Sequence, residues 1–242
     1  MSLLRIYCHL PDESLRCEWV CIDDDREPIT GGGSLEGQLA DLLQCVRHTR
    51  AGRVQLIMPA VHVLLTRARL PGTARRHASA ILSFAIEEET LREPDANQVS
   101  WIGSSGDDDV LAVVDKKRLA HWLDALGAAA IRVDEIHCET LLLPSVAGEW
   151  SLAWDGREGF LRTGEFEGAA TDCGNHASPP LSLRLMLEEA ETRGTRPASI
   201  ALYTMAAPTE GLAGEITVTP DIDAWQRELG AAIRLGGTWD WR

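Results

Sequence analysis

Hydrophobic and polar positions along the chain change period several times, and each change marks an element. Leu3 to Leu10 and Arg16 to Ile22 read as two strands joined by a Pro-Asp-Glu-Ser turn, with Cys17, Trp19 and Cys21 on one face. Gly31-Gly32-Gly33 closes this opening section, and Ser34 caps a predicted helix whose Leu35, Leu39, Leu42, Leu43 and Val46 form an apolar stripe. Val54 to Met58 is apolar except for Gln55 and ends before Pro59, which suits a strand buried on both faces. Val61 to Leu70 begins as an alternating strand with Val61, Val63 and Leu65 on one side. Arg67 and Arg69 then fall on that apolar side, so its end is predicted to be exposed.

Pro71 and Gly72 break that strand, and Thr73 caps a helix whose Ala78, Ile81, Leu82, Ala85 and Ile86 share a face. Gln98 to Ile102 and Val110 to Asp115 form a further strand pair, separated by Gly-Ser-Ser-Gly-Asp-Asp-Asp, which reads as a mobile acidic turn. Lys116 to Ala129 is helical, with Leu119, Trp122, Leu123 and Leu126 on one side. Ile131 to Ile136 returns as a strand, and Leu141 to Leu143 packs before Pro144. From Trp150 the pattern restarts: strands over Ser151–Trp154 and Gly159–Thr163 flank Asp155-Gly156-Arg157-Glu158, a tight hairpin by its Asp-Gly. A strand over Glu165–Ala170, an irregular loop, a helix over Leu181–Thr192 and a buried strand over Ala198–Tyr203 follow. The chain then gives a short strand over Glu215–Val218 and a helix over Ile222–Ile233 bearing Trp225, Leu229 and Ile233. A hairpin, a helix and a buried strand thus occur near each end, which predicts two related α/β halves with a β-α-β layer inserted between them.

Charge singles out the stretch from Leu70 to Leu91. Its helix begins basic (Arg75, Arg76, His77) and ends acidic (Glu87, Glu88, Glu89), which opposes the helix dipole at a few tenths of a kcal/mol or more per charge. Either these charges are a solvated face around an ordinary core helix, or Arg75, Arg76, Glu87, Glu88 and Glu89 form a partner surface. A formal net charge of −14 argues against nucleic acid and against electrostatic docking on anionic lipid, and favours a basic partner or plain solubility. The six cysteines make no Cys-x-x-Cys pair, and their scatter suits a reducing compartment. No signal peptide opens the chain and no run reaches the roughly 18 apolar residues of a membrane span. The composition therefore points to a soluble cytoplasmic domain.

Candidate chemistry is sparse. No Gly-x-x-x-x-Gly-Lys-Ser/Thr occurs, and no Gly-x-Gly-x-x-Gly follows a strand. The first hairpin turn, His9 to Ser14, has no glycine, loses a donor at Pro11 and carries two carboxylates that repel a triphosphate. The second, Asp155 to Gly159, is closer in form to a phosphate loop, although a structural turn is the better reading. His137-Cys138-Glu139 are consecutive on a strand end and point in different directions, so core packing is preferred to metal ligation. Asp23 to Asp25 and Asp107 to Asp109 lack the glycine and distal glutamate of a calcium loop and read as solvated turns. Trp239 and Trp241 either belong to an interface or fold back onto the helix from Ile222. No catalytic, cofactor or metal residue is assigned.

The segment Leu-Pro-Gly, a basic turn, then Ala-Ile-Leu-Ser-Phe-Ala-Ile-Glu-Glu-Glu resembles the L component of bacterial type II secretion systems. Ser83 stands where that family usually has proline and Glu88 where it has aspartate. The resemblance continues in family order through Val-Val-Asp-Lys, Val-Asp-Glu-Ile-His and Leu-Leu-Leu-Pro, between Val110 and Pro144. It implies an actin-like ATPase or ribonuclease-H-like fold: a first half over 1–60, an inserted β-α-β layer over 61–145, part of which returns to the first half, and a second half over 146–242. It further implies a non-enzymatic adaptor without cofactor, which recruits the secretion ATPase through that ATPase's N-terminal domain. Other inner-membrane platform proteins and a homodimer are further implied partners. The family continues through a transmembrane helix, here expected beyond residue 242, which puts this domain on the cytoplasmic face of the inner membrane. The rival readings are an actin-like nucleotide-binding protein with weak ATPase activity and the scaffold of a related pilus assembly machine.

Overall fold

The computed structural model describes residues 2–8, 16–23, 26–34, 52–70, 82, 86, 90, 93–205 and 219–241. The chain divides into two compact units, Met1–Glu139 and Thr140–Trp241.

The first unit is built on a five-stranded sheet. β1 (Leu3–Cys8), β2 (Arg16–Asp23) and β3 (Arg26–Ser34) run antiparallel, and β4 (Arg53–Met58) lies parallel to β1 on its other side. The register sets Leu4 beside Cys21 and Val54, and Ile6 beside Trp19 and Leu56. Period-two alternation therefore gathers Leu4, Ile6, Cys8, Cys17, Trp19, Cys21, Val54, Leu56 and Met58 on one buried face, including the three residues expected to share it. The triple glycine does not end the section as expected. It lies inside β3, where Trp19 pairs with Gly31 and its indole covers the backbone so closely that a Cβ on Gly31 would sit 2.5 Å from the ring. The predicted helix with the Leu35–Val46 stripe lies outside the described residues.

Between β4 and the parallel edge strand β8 (Glu135–Cys138) the chain inserts a second, smaller layer. After Pro59 a single 3-10 turn over Ala60–His62 leaves Val61 exposed, so β5 starts later than its alternation suggested, at Val63–Ala68. β6 (Asn97–Ser105) and β7 (Asp108–Asp115) complete an antiparallel sheet of order β5-β7-β6. The acidic segment between β6 and β7 is not the long turn expected: both strands run into it, pairing Ser105 with Asp108 around Gly106 at φ +61°. From the Leu70–Leu91 stretch, Leu82 and Ile86 are buried against Val99, Leu111 and Val113, as the helical spacing required of those two. α1 (Lys116–Ala128) follows, capped by the Asp115 carboxylate on the Arg118 N–H and burying Trp122 and Leu126. Ile131 to Asp134 is irregular, because Asp134 is occupied in binding Val54 through both backbone and carboxylate, and β8 starts only at Glu135.

The second unit repeats the plan. β9 (Glu149–Trp154), β10 (Gly159–Arg162) and β11 (Gly168–Ala170) run antiparallel; β12 (Ser199–Met205) and β13 (Ala232–Trp239) lie parallel to β9 in the order β11-β10-β9-β12-β13. Strand for strand this matches β3-β2-β1-β4-β8. Two such sheets, with an extra layer inserted in the first, constitute the ribonuclease-H-like, actin-like architecture. α2 (Leu181–Thr192) and α3 (Ile222–Leu229) bring Leu183, Leu187, Trp225 and Leu229 against Trp150, Leu152, Trp154, Ile200 and Leu202. The Trp154 and Trp225 rings meet edge-on, 5.0 Å apart.

The last helix is shorter than its apolar spacing suggested. Gly230, left-handed at φ +60°, ends it after Leu229 and frees the chain to form β13, which contains Ile233. Trp239 then packs edge-on against Phe160 at 5.0 Å, and both Trp239 and Trp241 are buried rather than displayed. The short strand expected over Glu215–Val218 lies outside the described residues.

Candidate functional site

In an actin-like body, the places to look for chemistry are the hairpin turns and the ends of the central strands. The hairpin between β9 and β10 is closed on itself. Asp155 donates its N–H to the Glu158 carbonyl at 3.0 Å, while its Oδ1 accepts from the N–H groups of Arg157 at 2.8 Å and Glu158 at 2.7 Å. Gly156 supplies the φ of +107° that this turn requires, and the Arg157 carbonyl accepts from Gly174 N–H at 2.7 Å. A phosphate cradle needs outward-pointing backbone N–H groups; here two of them are already bonded to the turn's own carboxylate. The same loop end is tied to α2, whose first turn donates Leu181 N–H, Ser182 N–H and Ser182 Oγ–H to Asp172. These bonds hold the Asp172 carboxyl below the usual carboxylate range. The first hairpin turn, His9 to Ser14, lies outside the described residues.

The strand ends of the first unit carry its buried polar groups. Glu139, immediately after β8, is 3% exposed; its Oε1 accepts from Tyr7 Oη and its Oε2 from Ala60 N–H, each at 3.0 Å. Burial and the adjacent Glu139 charge push the Tyr7 hydroxyl far above its ordinary range, so it acts as a donor and not as an acid. Farther along the sheet, Arg5 Nε donates to Gln55 Oε1 at 3.0 Å, and Gln55 Nε2 donates to Glu135 Oε2 at 2.9 Å. Arg53 and His137 close on the same Glu135 carboxylate. In the turn after β4, burial and the Arg118 guanidinium hold the His62 imidazole down at about 4. The Arg5, Gln55 and Glu135 groups join strands, and the His62–Arg118 contact joins the turn after β4 to α1.

Among the described residues no three His, Cys, Asp or Glu side chains are disposed to hold a metal ion. Burial raises the Cys8 thiol well above its normal value and pushes Cys17 up to about 12, so neither is an activated nucleophile. Cys21 is disulfide-bonded, which departs from the reducing compartment that the scatter of the cysteines suggested.

His137, Cys138 and Glu139 do diverge as expected, His137 toward Glu135 and the other two into buried positions. Asp109 departs from the solvated turn assigned to it. It is fully buried, accepting from Trp101 Nε1 at 2.9 Å and from Ser104 Oγ. An acidic run gives no sign of which carboxylate turns inward; the partners that decide it come from β6. The proposed partner surface, Arg75, Arg76, Glu87, Glu88 and Glu89, lies outside the described residues.

A family model described as type II secretion system (T2SS), protein L, matches residues 11–190. The chain belongs to that family. Within it, the type II secretion system protein L of Pectobacterium carotovorum subsp. carotovorum is 29% identical over 142 residues, and that of Dickeya chrysanthemi is 26% identical over the same length. Each match covers 58% of this chain but only 33% and 35% of those relatives. Among solved structures, the cytoplasmic domain of EpsL, an inner membrane component of the type II secretion system of Vibrio cholerae, superposes with a TM-score of 0.63 at 18% identity. That likeness covers 91% of this chain and 90% of the other. The PilM–PilN type IV pilus biogenesis complex gives a TM-score of 0.58 at 9% identity, covering 98% and 88%. At such identities the two likenesses show the shared fold.

Proposed function

We propose that this chain is a non-enzymatic adaptor of a type II secretion system, holding the secretion ATPase, by that ATPase's N-terminal domain, at the inner-membrane platform. The observation that carries this reading is the Asp155–Glu158 turn. In a fold suited to gripping a nucleotide between hairpins, this one spends its N–H groups on Asp155 and leaves a body suited to binding other proteins. The likeness to a structure described as a cytoplasmic domain supports a place on the cytoplasmic face of the inner membrane. No helix among the described residues is long and apolar enough to cross a membrane. Leu82 and Ile86 anchor their segment in the core of the inserted layer, and the three glutamates that follow Ile86 give a partner of opposite charge its target.

Calorimetric titration with the N-terminal domain of the cognate ATPase tests the reading. Simultaneous Glu87→Lys, Glu88→Lys and Glu89→Lys changes are expected to weaken binding by about tenfold or more with an unaltered melting curve. Undiminished affinity removes this patch from the interface. No binding by the unsubstituted chain ends the adaptor reading. A rise in melting temperature on adding Mg-ATP replaces it with the nucleotide-binding one.

A further inference from the structure

Helix α2 carries a second apolar stripe. Its inward positions, Leu183, Leu187 and Ala190, are buried in the core of the second unit. On the opposite side, Leu181, Leu185, Glu188 and Thr192 are spaced by four, three and four residues and so fall on one line. Leu181 is 47% exposed and Leu185 52%, two adjacent leucines on one turn rather than an isolated one. The other charged side chains of this helix are engaged: Arg184 with Glu228 at 3.4 Å, Glu189 with Arg193 at 2.5 Å and Glu191 with Arg196 at 2.5 Å. Glu188 makes no ion pair among the described residues, and it is the carboxylate in line with the two leucines. It also sits toward the negative end of the helix dipole, where a carboxylate is unfavourable. Neither the exposed leucines nor Glu188 serve this helix.

We propose that this stripe docks a basic amphipathic helix of a partner protein. Two apolar side chains of that helix, one turn apart, seat on Leu181 and Leu185, and a lysine or arginine one turn further along pairs with Glu188. Charge selects the occupant: a chain of net charge −14 repels a second copy of itself and any acidic segment, and attracts a basic one. The stripe is remote in sequence from Glu87–Glu89, and its failure would leave the adaptor reading standing.

The probe is a fluorescein-labelled synthetic peptide of leucine and lysine, with leucines at i and i+4 of a helical repeat, titrated against the full chain by anisotropy. Its counterpart with glutamate for every lysine is the control. The lysine peptide is expected to bind and the glutamate peptide not. The double variant Leu181→Ser, Leu185→Ser should weaken binding by at least about tenfold, and Glu188→Lys by about threefold or more, an effect that fades with salt. Asp124→Lys, which reverses an exposed charge on α1, should change nothing. Undiminished binding by the leucine variant overturns the proposal, as does an equal loss from Asp124→Lys, which would make the attraction one of overall charge. Self-association in sedimentation that Leu185→Ser abolishes would assign the stripe to a second copy instead.

Discussion

The two five-stranded sheets share a strand order and differ in what joins their strands. In the second unit three tryptophans, Trp150, Trp154 and Trp225, with Leu152, Leu161, Ile200 and Leu202 fill one side of the sheet, and its polar link across the strands, Ser199 and Arg234 on Glu149, lies near the strand starts. In the first unit one face is equally apolar, but the other is crossed by Arg5, Gln55 and Glu135 in adjacent register positions. At the strand ends Glu139 ties β8 to Tyr7 and to the turn after β4. The topology tolerates both solutions because backbone pairing fixes the strand order and only asks that each face be satisfied. The apolar solution depends on shape, so it fails when volume is removed. The polar one depends on protonation and on paired acceptors, so it fails when an acceptor is lost or a proton is gained.

The largest effect should come from Trp225→Ala. It removes a fully buried ring that meets Trp154 edge-on, at a cost of about 3–5 kcal/mol. Urea titration gives the magnitude, and hydrogen exchange shows where the loss falls. Peptides from β9 and β12 should lose protection while those from β1 and β4 keep theirs. Equal deprotection of both sheets would show that the two units do not unfold separately. Leu82→Asp comes next. It places an unpaired carboxylate among Val99, Leu111 and Val113 and should cost about 3 kcal/mol, unfolding the inserted layer. A melting curve indistinguishable from that of the unsubstituted chain would show that Leu82 is not in that core.

Glu139→Ala probes the polar solution directly. It removes the acceptor of both Tyr7 Oη–H and Ala60 N–H in a buried site, which should cost about 2 kcal/mol, part of it from the side-chain volume vacated. Glu139→Gln keeps an acceptor and should recover part of that loss. Full stability in the Glu139→Gln chain would show that only one of the two accepted bonds matters, because the amide NH2 cannot accept the other.

These contrasts were unevenly legible in the sequence. Period-two alternation found β1, β2, β4 and β9, because strands buried on at least one face must alternate or run apolar, and Leu181–Thr192 was found with its helix limits. β13 was missed because Ile233, four residues after Leu229, continues the apolar spacing of Trp225 and Leu229 in α3, and only the left-handed Gly230 separates helix from strand. The triple glycine of β3 read as a terminus because its reason, the Trp19 indole lying over Gly31, comes from the neighbouring strand. The closed Asp155 turn was foreseen as structural from its Asp-Gly. By contrast, the buried roles of Asp109 and Glu139 rest on partners eight and more than a hundred residues away, which no local pattern encodes.

The smallest predicted effect should be confined to the first unit. His62 titrates near 4 in the folded chain, held there by burial first and by Arg118 second, against about 6.5 for an exposed imidazole. His137 is lowered in the same direction by burial, Arg5 and Arg53. As pH falls through about 6.5 the unfolded chain takes up protons that the folded turn refuses. Stability from this source is therefore complete above about pH 7 and drains away progressively as pH falls toward 4. His62 is half-buried, so solvent screening should keep its share to about 1 kcal/mol or less. His62→Gln should flatten the pH dependence of first-unit unfolding between pH 6.5 and 4, as read by hydrogen exchange in β4 and β5, and leave β9 and β12 unchanged. An unaltered pH profile in the His62→Gln chain would transfer the dependence to His137 and the Glu135 cluster. A profile shared by both sheets would show that the polar solution does not isolate the titration to the unit that carries it.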